Sequence, residues 1–362
     1  MANGNSQKRI YVWAYFQQNL GDDMFVQTLV RRYPGHLFYI AANPDNVRFL
    51  KNEPNVKIMP RAQFTLCRLA GKISPSLPRK ERKMRMEKAD AVVKIGGSVF
   101  IEYTGWQNAP DKIPNPEFYI IGANFGPYKT DRFFQSKRDY IVHSKDCCFR
   151  DLYSYRLFED IPQVRYAPDI LWAYPGYPTE NKGQGVGISV LNLSEISGLE
   201  DYIEEYEQGI VRICDWHAAQ GRPVTLFGFC KRLGDDQSID RILSCCKSKE
   251  QISAEVYDCD IGGFLEAFNR VETVYATRFH AMVLGFAMHK KIIPIIYSNK
   301  QSNMLADIGF GGMAWNLLSR EPISDEIIRG DATRLSDEAL NELRLRSEEQ
   351  FCGLDESLLA SN

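Results

Sequence analysis

The feature that most restricts how this chain can fold is a repeated couple: a short, almost continuously apolar run ending in glycine or a polar residue, then a segment with helical spacing. "RIYVWAYF" (9–16) is β-rich, "QQNLGDD" turns at Gly21, and "DMFVQTLVRRYP" sets Phe25, Val26, Leu29 and Val30 on one helical face, with Asp22 as the expected cap. "GHLFYIAA" (35–42), "ADAVVKIGG" (89–97), "EFYIIGANFG" (117–126) and "DCCFRD" (146–151) repeat the strand half of the couple. Strands apolar along their whole length belong to a parallel sheet covered on both faces. Between about 168 and 185, Pro, Gly and Asn interrupt every pattern, as an interdomain linker would. The alternation then restarts with "GVGISVLN", the helix "LEDYIEEYEQGIVRICDWHAAQG", the strand "PVTLFGF", a helix near 236–247 and the strand "SAEVYD". It ends with "RVETVYA", "RFHAMVLGFAM" and "KIIPIIY". The expected fold is α/β, with two Rossmann-like domains facing a cleft: an N-terminal domain over 1–175, a C-terminal domain over 176–321, and an acidic helical tail over 322–362.

Composition removes several functional classes. The balance of 44 Lys+Arg against 46 Asp+Glu, a formal charge of −2, argues against a nucleic-acid binder held by bulk electrostatics. The nine cysteines include no C-x-x-C and no partner His at zinc-finger spacing, so neither a disulfide framework nor a metal site is expected. The start lacks the pattern of a signal peptide and no apolar run has the length of a membrane span, which makes the cytoplasm the expected location.

In open α/β sheets ligands bind beyond the carboxyl ends of the strands, so the loops there are where function is sought. Three carry unusual residues: Asn19, Gly21 and Asp22 after the first strand; Gly96, Gly97 and Ser98 after "AVVKI"; Asn124 after "FYIIGA". Each alone is also ordinary turn chemistry, since such turns take Gly for positive φ and Asn or Ser for local backbone bonds. None fits the dinucleotide or P-loop glycine patterns.

The stretch "VYATRFHAMVLGFAM" (274–288) is more specific. Phe279, Met282, Val283 and Phe286 form one buried helical stripe, with Thr277 as the expected N-cap, so Arg278 and His280 fall in the first turn. Cations there oppose the helix dipole unless they and the backbone N–H groups face an anion. Lys300, just past "KIIPIIY", belongs to the same rim, and Arg150, before the helix-capping Asp151, offers another cation from the first half. The competing interpretation pairs Arg278 with a protein carboxylate and makes His280 a core histidine.

Taken in order, these residues resemble the polysaccharide pyruvyl transferase family. The likeness rests on Asn19-Leu20-Gly21-Asp22, Gly96-Gly97-Ser98, Gly122-x-Asn124-x-Gly126-Pro127 and Phe149-Arg150-Asp151-x-x-Ser154. It continues through Pro168-Asp169, Gly234-Asp235-Asp236, Arg278-Phe279-His280-Ala281, Lys300 and Ile308-Gly309, from about residue 15 to 312. Phe279 departs from the family's usual Leu but keeps an apolar position. The resemblance implies a GT-B-like architecture with the site in the cleft. It also implies transfer of the pyruvyl group of phosphoenolpyruvate (PEP) to a sugar of a capsule or exopolysaccharide precursor, usually as a cyclic ketal, with phosphate released. It further implies that Arg150 and Arg278 bind PEP, that His280 is the essential histidine, and that PEP is a co-substrate with no separate cofactor. Two alternatives stay open: a GT-B glycosyltransferase placing a nucleotide diphosphate at the same helix start, and a non-catalytic anion- or sugar-binding protein of this fold.

One segment lies outside that pattern. From Arg61 to Lys88 there are nine Lys/Arg against two Glu in a chain whose net charge is −2. Such a run is a solvated helical face or a peripheral surface for anionic lipid or a diphosphate-linked lipid carrier at the inner face of the cell membrane. Acceptors built on such carriers are implied by the resemblance and only permitted by the charge.

Overall fold

A computed structural model describes residues 7–359, apart from 75, 104–105, 107–112, 114 and 181–182. Residue 75 of the basic run and residues 181–182 of the linker therefore lie outside the described residues. The chain forms two compact units. The first comprises residues 1–16, 22–170 and 345–362; the second comprises 17–21 and 171–344. The expected boundary near 175 thus falls at Leu171, and the expected tail divides, with 322–344 in the second unit and 345–362 in the first.

The first unit is built on a seven-stranded sheet of β1 (Arg9–Trp13), β2 (Leu37–Ile40), β3 (Val56–Ile58), β4 (Ala91–Ile95), β5 (Phe118–Ala123), β6 (Asp146–Phe149) and β7 (Val164–Tyr166). Their order is 3-2-1-4-5-6-7 and every pairing is parallel, β1 meeting β4 with Ile10 opposite Ala91. α1 (Leu20–Arg32), α2 (Arg61–Ile73), α3 (Ser76–Glu87), α4 (Asp131–Val142) and α5 (Leu152–Arg156) accompany it. β5 is buried along its whole length, as its unbroken apolar sequence requires. On one face of the sheet Phe100, Phe118, Phe125, Phe133, Phe149 and Phe158 fill the core.

The second unit repeats the plan with β8 (Gly185–Val190), β9 (Val224–Gly228), β10 (Ile252–Val256), β11 (Val271–Ala276), β12 (Lys291–Ile296) and β13 (Trp315–Asn316) in the order 10-9-8-11-12-13, again all parallel. Its helices include α6 (Ile203–Ala219), α7 (Asp235–Cys245), α8 (Ile261–Asn269), α9 (Phe279–Ala287) and α10 (Asn299–Asp307). In each sheet the strand order reverses once, between β1 and β4 and between β8 and β11, which is where an open α/β sheet opens a ligand crevice.

The segment after α10 contains α11 (Asp325–Arg329), α12 (Asp337–Ser347) and α13 (Cys352–Leu358). Residues 345–362 are stapled to the first sheet by Gln350, which is fully buried. Its Oε1 accepts from Gly122 N at 2.9 Å, and its Nε2 donates to the carbonyls of Ala167 (2.6 Å) and Pro168 (3.1 Å). Asp355 adds a bidentate contact from Arg32 and accepts from the Tyr33 hydroxyl at 2.7 Å.

Candidate functional site

In the first unit, the loops after β4, β5 and β6 meet at Arg150. Its backbone N–H continues the strand pairing to Ala123 O (2.8 Å), which aims the side chain inward. Nη1 donates to Asp169 Oδ2 at 2.7 Å and Nη2 to Asn124 Oδ1 at 2.8 Å, with the Arg150 side chain only 2% exposed. Asn124 is itself fixed by donating its backbone N–H to Gly97 O at 2.8 Å. Gly97 is glycine because the guanidinium occupies its side-chain space: a Cβ there would lie 2.4 Å from Arg150 Cζ. Gly96 has φ +145°, and a Cβ on it would come 3.4 Å from Asp22 Oδ1, so Asp22 lies against this loop. Asp151 caps α5 as expected, accepting from Ser154 N (2.8 Å) and Ser154 Oγ (3.0 Å), while Ser154 Oγ accepts from Phe125 N. The structure therefore brings Gly97, Asn124 and Arg150 into one cluster and Asp22 to Gly96, with Ser98 exposed beyond them. Asp22 does not cap α1. The helix begins two residues earlier, at Leu20, whose N–H donates to Phe229 O, and Asp22 is its third residue.

In the second unit, Arg278 follows β11 at the reversal of strand order. It is Arg278, with φ −70° and ψ 136°, that occupies the N-cap of α9, one residue later than the expected Thr277. The shift has a local cause: the hydroxyl of Thr277 is engaged with Tyr206 Oη at 3.1 Å, and Ser189 Oγ accepts from the N–H groups of both Thr277 and Arg278 at 2.9 Å. No side chain caps α9 and its first turn holds no acidic residue.

Arg278 meets a protein carboxylate. Nε donates to Asp235 Oδ2 at 3.1 Å, and Nη2 makes a short bond to Asp235 Oδ1. Asp235 is fully buried, and its Oδ2 also accepts from Phe229 N (3.0 Å) and Cys230 N (2.9 Å). The bidentate fork fixes the guanidinium plane and turns Nη1 away from that carboxylate. Burial opposes the charge on Arg278, but the attraction of Asp235 outweighs it and raises the pKa.

The neighbouring strand end adds a second cation. Lys300 Nζ lies 5.3 Å from the ring centroid of Tyr297. Burial alone would raise the Tyr297 phenol, yet Lys300 and Arg278 together lower it below its ordinary value. Tyr297 thus feels both cations at once. Gln301, fully buried, ties the two strand ends together, donating to Thr277 O at 2.6 Å and accepting from Tyr297 N at 2.9 Å.

His280, half-buried in the first turn of α9, stands against the backbone of Gly21: a Cβ there would lie 1.7 Å from His280 Nδ1. Asn19 and Leu20 reach this unit by a bridge to Cys230 and the bond to Phe229 O. Arg278, His280, Lys300, Gly21 and Asn19 therefore all belong to the second unit. Among the described residues, no group of three or more His, Cys, Asp or Glu side chains is placed to hold a metal ion.

Four residues that shape these clusters were not singled out from sequence as site residues: Asp235, Asp169, Ser189 and Tyr297. Asp235 and Asp169 occur in the family-like motifs, but their arginine partners lie 43 and 19 residues away and periodicity does not reveal such pairings. Ser189 and Tyr297 carried one legible signal, a polar group at the carboxyl end of an apolar strand.

The solved structures this chain resembles share its fold at low identity. The S. aureus MnaA structure with UDP matches with a TM-score of 0.58 and 10% identity, covering 98% of this chain and 97% of that one. Anabaena Alr3699/HepE in complex with UDP and glucose gives 0.55 at 10% identity, covering 98% and 100%. UDP-GlcNAc 2-epimerase from Neisseria meningitidis bound to UDP-GlcNAc gives 0.55 at 9%, covering 97% and 98%. The two Rossmann-like units are of the GT-B kind. Among curated protein sequences none is significantly similar to this one. The model of the polysaccharide pyruvyl transferase family matches residues 19–299, most of the chain, and includes Arg150, Arg278 and His280. By that match this transferase belongs to the polysaccharide pyruvyl transferase family.

Proposed function

We propose that the protein moves the pyruvyl group of PEP onto a sugar of a capsule or exopolysaccharide precursor, closes a cyclic ketal and releases phosphate. The observation that carries this reading is the convergence on Tyr297 of Arg278, the N-cap of the helix turn that holds His280, and Lys300, in the first turn of α10. Two cations at neighbouring helix N-termini, Arg278 at α9 and Lys300 at α10, suit a substrate with both a carboxylate and a phosphate. Asp235 offsets one of the two charges and orients the Arg278 fork, so the site presents shaped donors rather than a diffuse positive field. In the first unit, Arg150, Asn124, Asp22 and the Gly96–Ser98 loop are assigned to substrate binding. The acceptor is carried on a lipid diphosphate at the inner face of the cell membrane, where a cytoplasmic enzyme works as a peripheral protein.

The chemistry asks for one proton at the methylene carbon of PEP and relief of negative charge on the departing phosphate. Protonation gives an oxocarbenium-like carbon, which a sugar hydroxyl attacks. The carbon–oxygen bond to phosphate then breaks and a second hydroxyl closes the ketal. Of the two hydroxyl protons, one replaces the proton now in the new methyl group and the other leaves with phosphate. His280 is the residue assigned to proton exchange, since imidazole changes charge near neutral pH. Arg278 and Lys300 are assigned to the phosphate.

The test is phosphate release from PEP with a matching mass gain on lipid-linked and nucleotide-linked sugars. No release across such a panel refutes the assignment. The rival reading, a nucleotide-sugar transferase, has in its favour that the three solved structures named above hold UDP or UDP-GlcNAc. Thermal shift separates the two, because a ligand at 100 times its Kd stabilises by about 2.7 kcal/mol. Stabilisation by PEP and not by UDP-sugars is expected; the opposite pattern favours the rival.

A further inference from the structure

α2 and α3 form a helical pair whose outer surface has an unusual composition. Leu66 is 66% exposed and Leu69 47%. With exposed Ala62 they stand at i, i+4 and i+7, one stripe of α2. The opposite stripe turns toward α3: a Cβ on Gly71 would lie 3.0 Å from Pro78 Cγ. Arg68 and Lys72, both exposed, run along one flank of the leucine stripe, and Arg61 at the start of that flank donates to Asp45 Oδ2 at 2.9 Å. On α3, Met84 is 44% exposed and stands among exposed Arg79, Lys80 and Lys83. Single exposed leucines need no explanation. A leucine stripe edged by cations, in a segment with nine Lys/Arg against two Glu, does.

We infer that the α2–α3 pair is a docking surface for a bilayer containing anionic lipid, with Leu66 and Leu69 entering the headgroup boundary and Arg68 and Lys72 meeting lipid phosphates. An apolar stripe bordered by Lys and Arg is the pattern by which a helix lies in a membrane interface. Charge complementarity selects this occupant: a second copy of the chain would set one cationic pair against another across a two-fold axis. No helix among the described residues is long and apolar enough to cross a membrane, so this contact is peripheral. The inference deepens the lipid-linked reading above by naming the surface, yet it is measured without PEP or acceptor, so the two stand or fall separately.

The experiment is co-sedimentation of the full-length protein with phosphatidylcholine vesicles, with and without phosphatidylglycerol, at low and high salt. Binding is expected only with phosphatidylglycerol, falling as salt rises. Each leucine withdrawn from the interface should weaken partition by roughly tenfold, and each Lys or Arg removed by about fivefold. Leu66→Ser/Leu69→Ser and Arg68→Glu/Lys72→Glu alter exposed residues, so their melting temperatures should match the parent. The inference is overturned by equal partition with and without phosphatidylglycerol, or by unchanged partition of the leucine variant. It is also overturned by lipid-free self-association or binding to an acidic protein that the same leucine substitutions abolish.

Discussion

Replacing Gly97 by alanine tests whether the space beside Arg150 is as fully committed as the structure indicates. The new methyl carbon would sit 2.4 Å from Arg150 Cζ and Nη2 and 2.6 Å from Nη1. Comfortable carbon contacts begin near about 3.5 Å, so something must retreat by roughly 1 Å. The guanidinium cannot retreat cheaply: with its side chain 2% exposed, the move stretches the bonds to Asp169 and Asn124 where no bulk water replaces them. The backbone of Gly97 is held in turn by the bond its carbonyl accepts from Asn124 N. Overpacking costs about 1–3 kcal/mol, and weakening a buried ion pair costs more, so about 3 kcal/mol is expected. In a domain of this size that lowers Tm by about 6–12 °C. If Arg150 binds substrate, a displacement of about 1 Å should also reduce kcat/KM by about 100-fold. Gly35→Ala is the control, because nothing lies within 4 Å of a Cβ there. Differential scanning calorimetry of both variants decides the first point and phosphate release the second. A Gly97→Ala protein that melts with the control refutes the packing argument.

Other perturbations address the second unit. Gly21→Ala drives a methyl group into His280 Nδ1; because His280 is only half-buried it can swing away, so activity should fall by about 100-fold with little change in Tm. Arg278→Ala should reduce kcat/KM about 30- to 1000-fold and, by stripping the guanidinium from buried Asp235, cost about 3–5 kcal/mol in urea denaturation. Adding Asp235→Asn should recover part of that stability and none of the activity. Buried His217 donates from Nε2 to Tyr275 Oη (3.1 Å) and accepts at Nδ1 from Arg222 (3.3 Å), a network that needs neutral imidazole. Burial first, and the Arg222 charge second, lower its pKa to about 4. The unfolded chain then binds a proton that the folded chain refuses, so stability falls as pH drops from about 6.5 toward 4, by about 3 kcal/mol in all. His217→Gln should flatten that part of the stability profile measured by urea titration at successive pH values; an unchanged slope refutes the assignment.

The parallel sheets were legible because each central strand is apolar from end to end, and the strand ends pointed to Arg278, Lys300 and Gly97. Short edge strands were not: β3 and β13 have too few residues for periodicity to show, and α8 was hidden by Gly262 and Gly263 in its first turn, both poor helix formers. Helix starts shifted where tertiary bonds overrode local capping, as at Leu20, held by Phe229 O, and at Thr277, whose hydroxyl is taken by Tyr206. The carboxylates opposite the two arginines were out of reach for a different reason. Asp235 and Asp169 read locally as a helix start and a turn, and only the folded chain brings them to Arg278 and Arg150.

The return of residues 345–362 to the first sheet sets an order of events during synthesis. Residues 22–170 leave the ribosome early, but the buried position of Gln350 beside Gly122 and Ala167 stays unfilled until residue 350 emerges. At about 5–20 residues per second, making 171–344 imposes a delay of roughly 9 to 35 s. The second unit has all its residues before then, because 17–21 come out ahead of 171–344. The first unit is therefore begun before the second and completed after it, with Gly122 N and the carbonyls of Ala167 and Pro168 waiting for Gln350 while all of 171–344 is made.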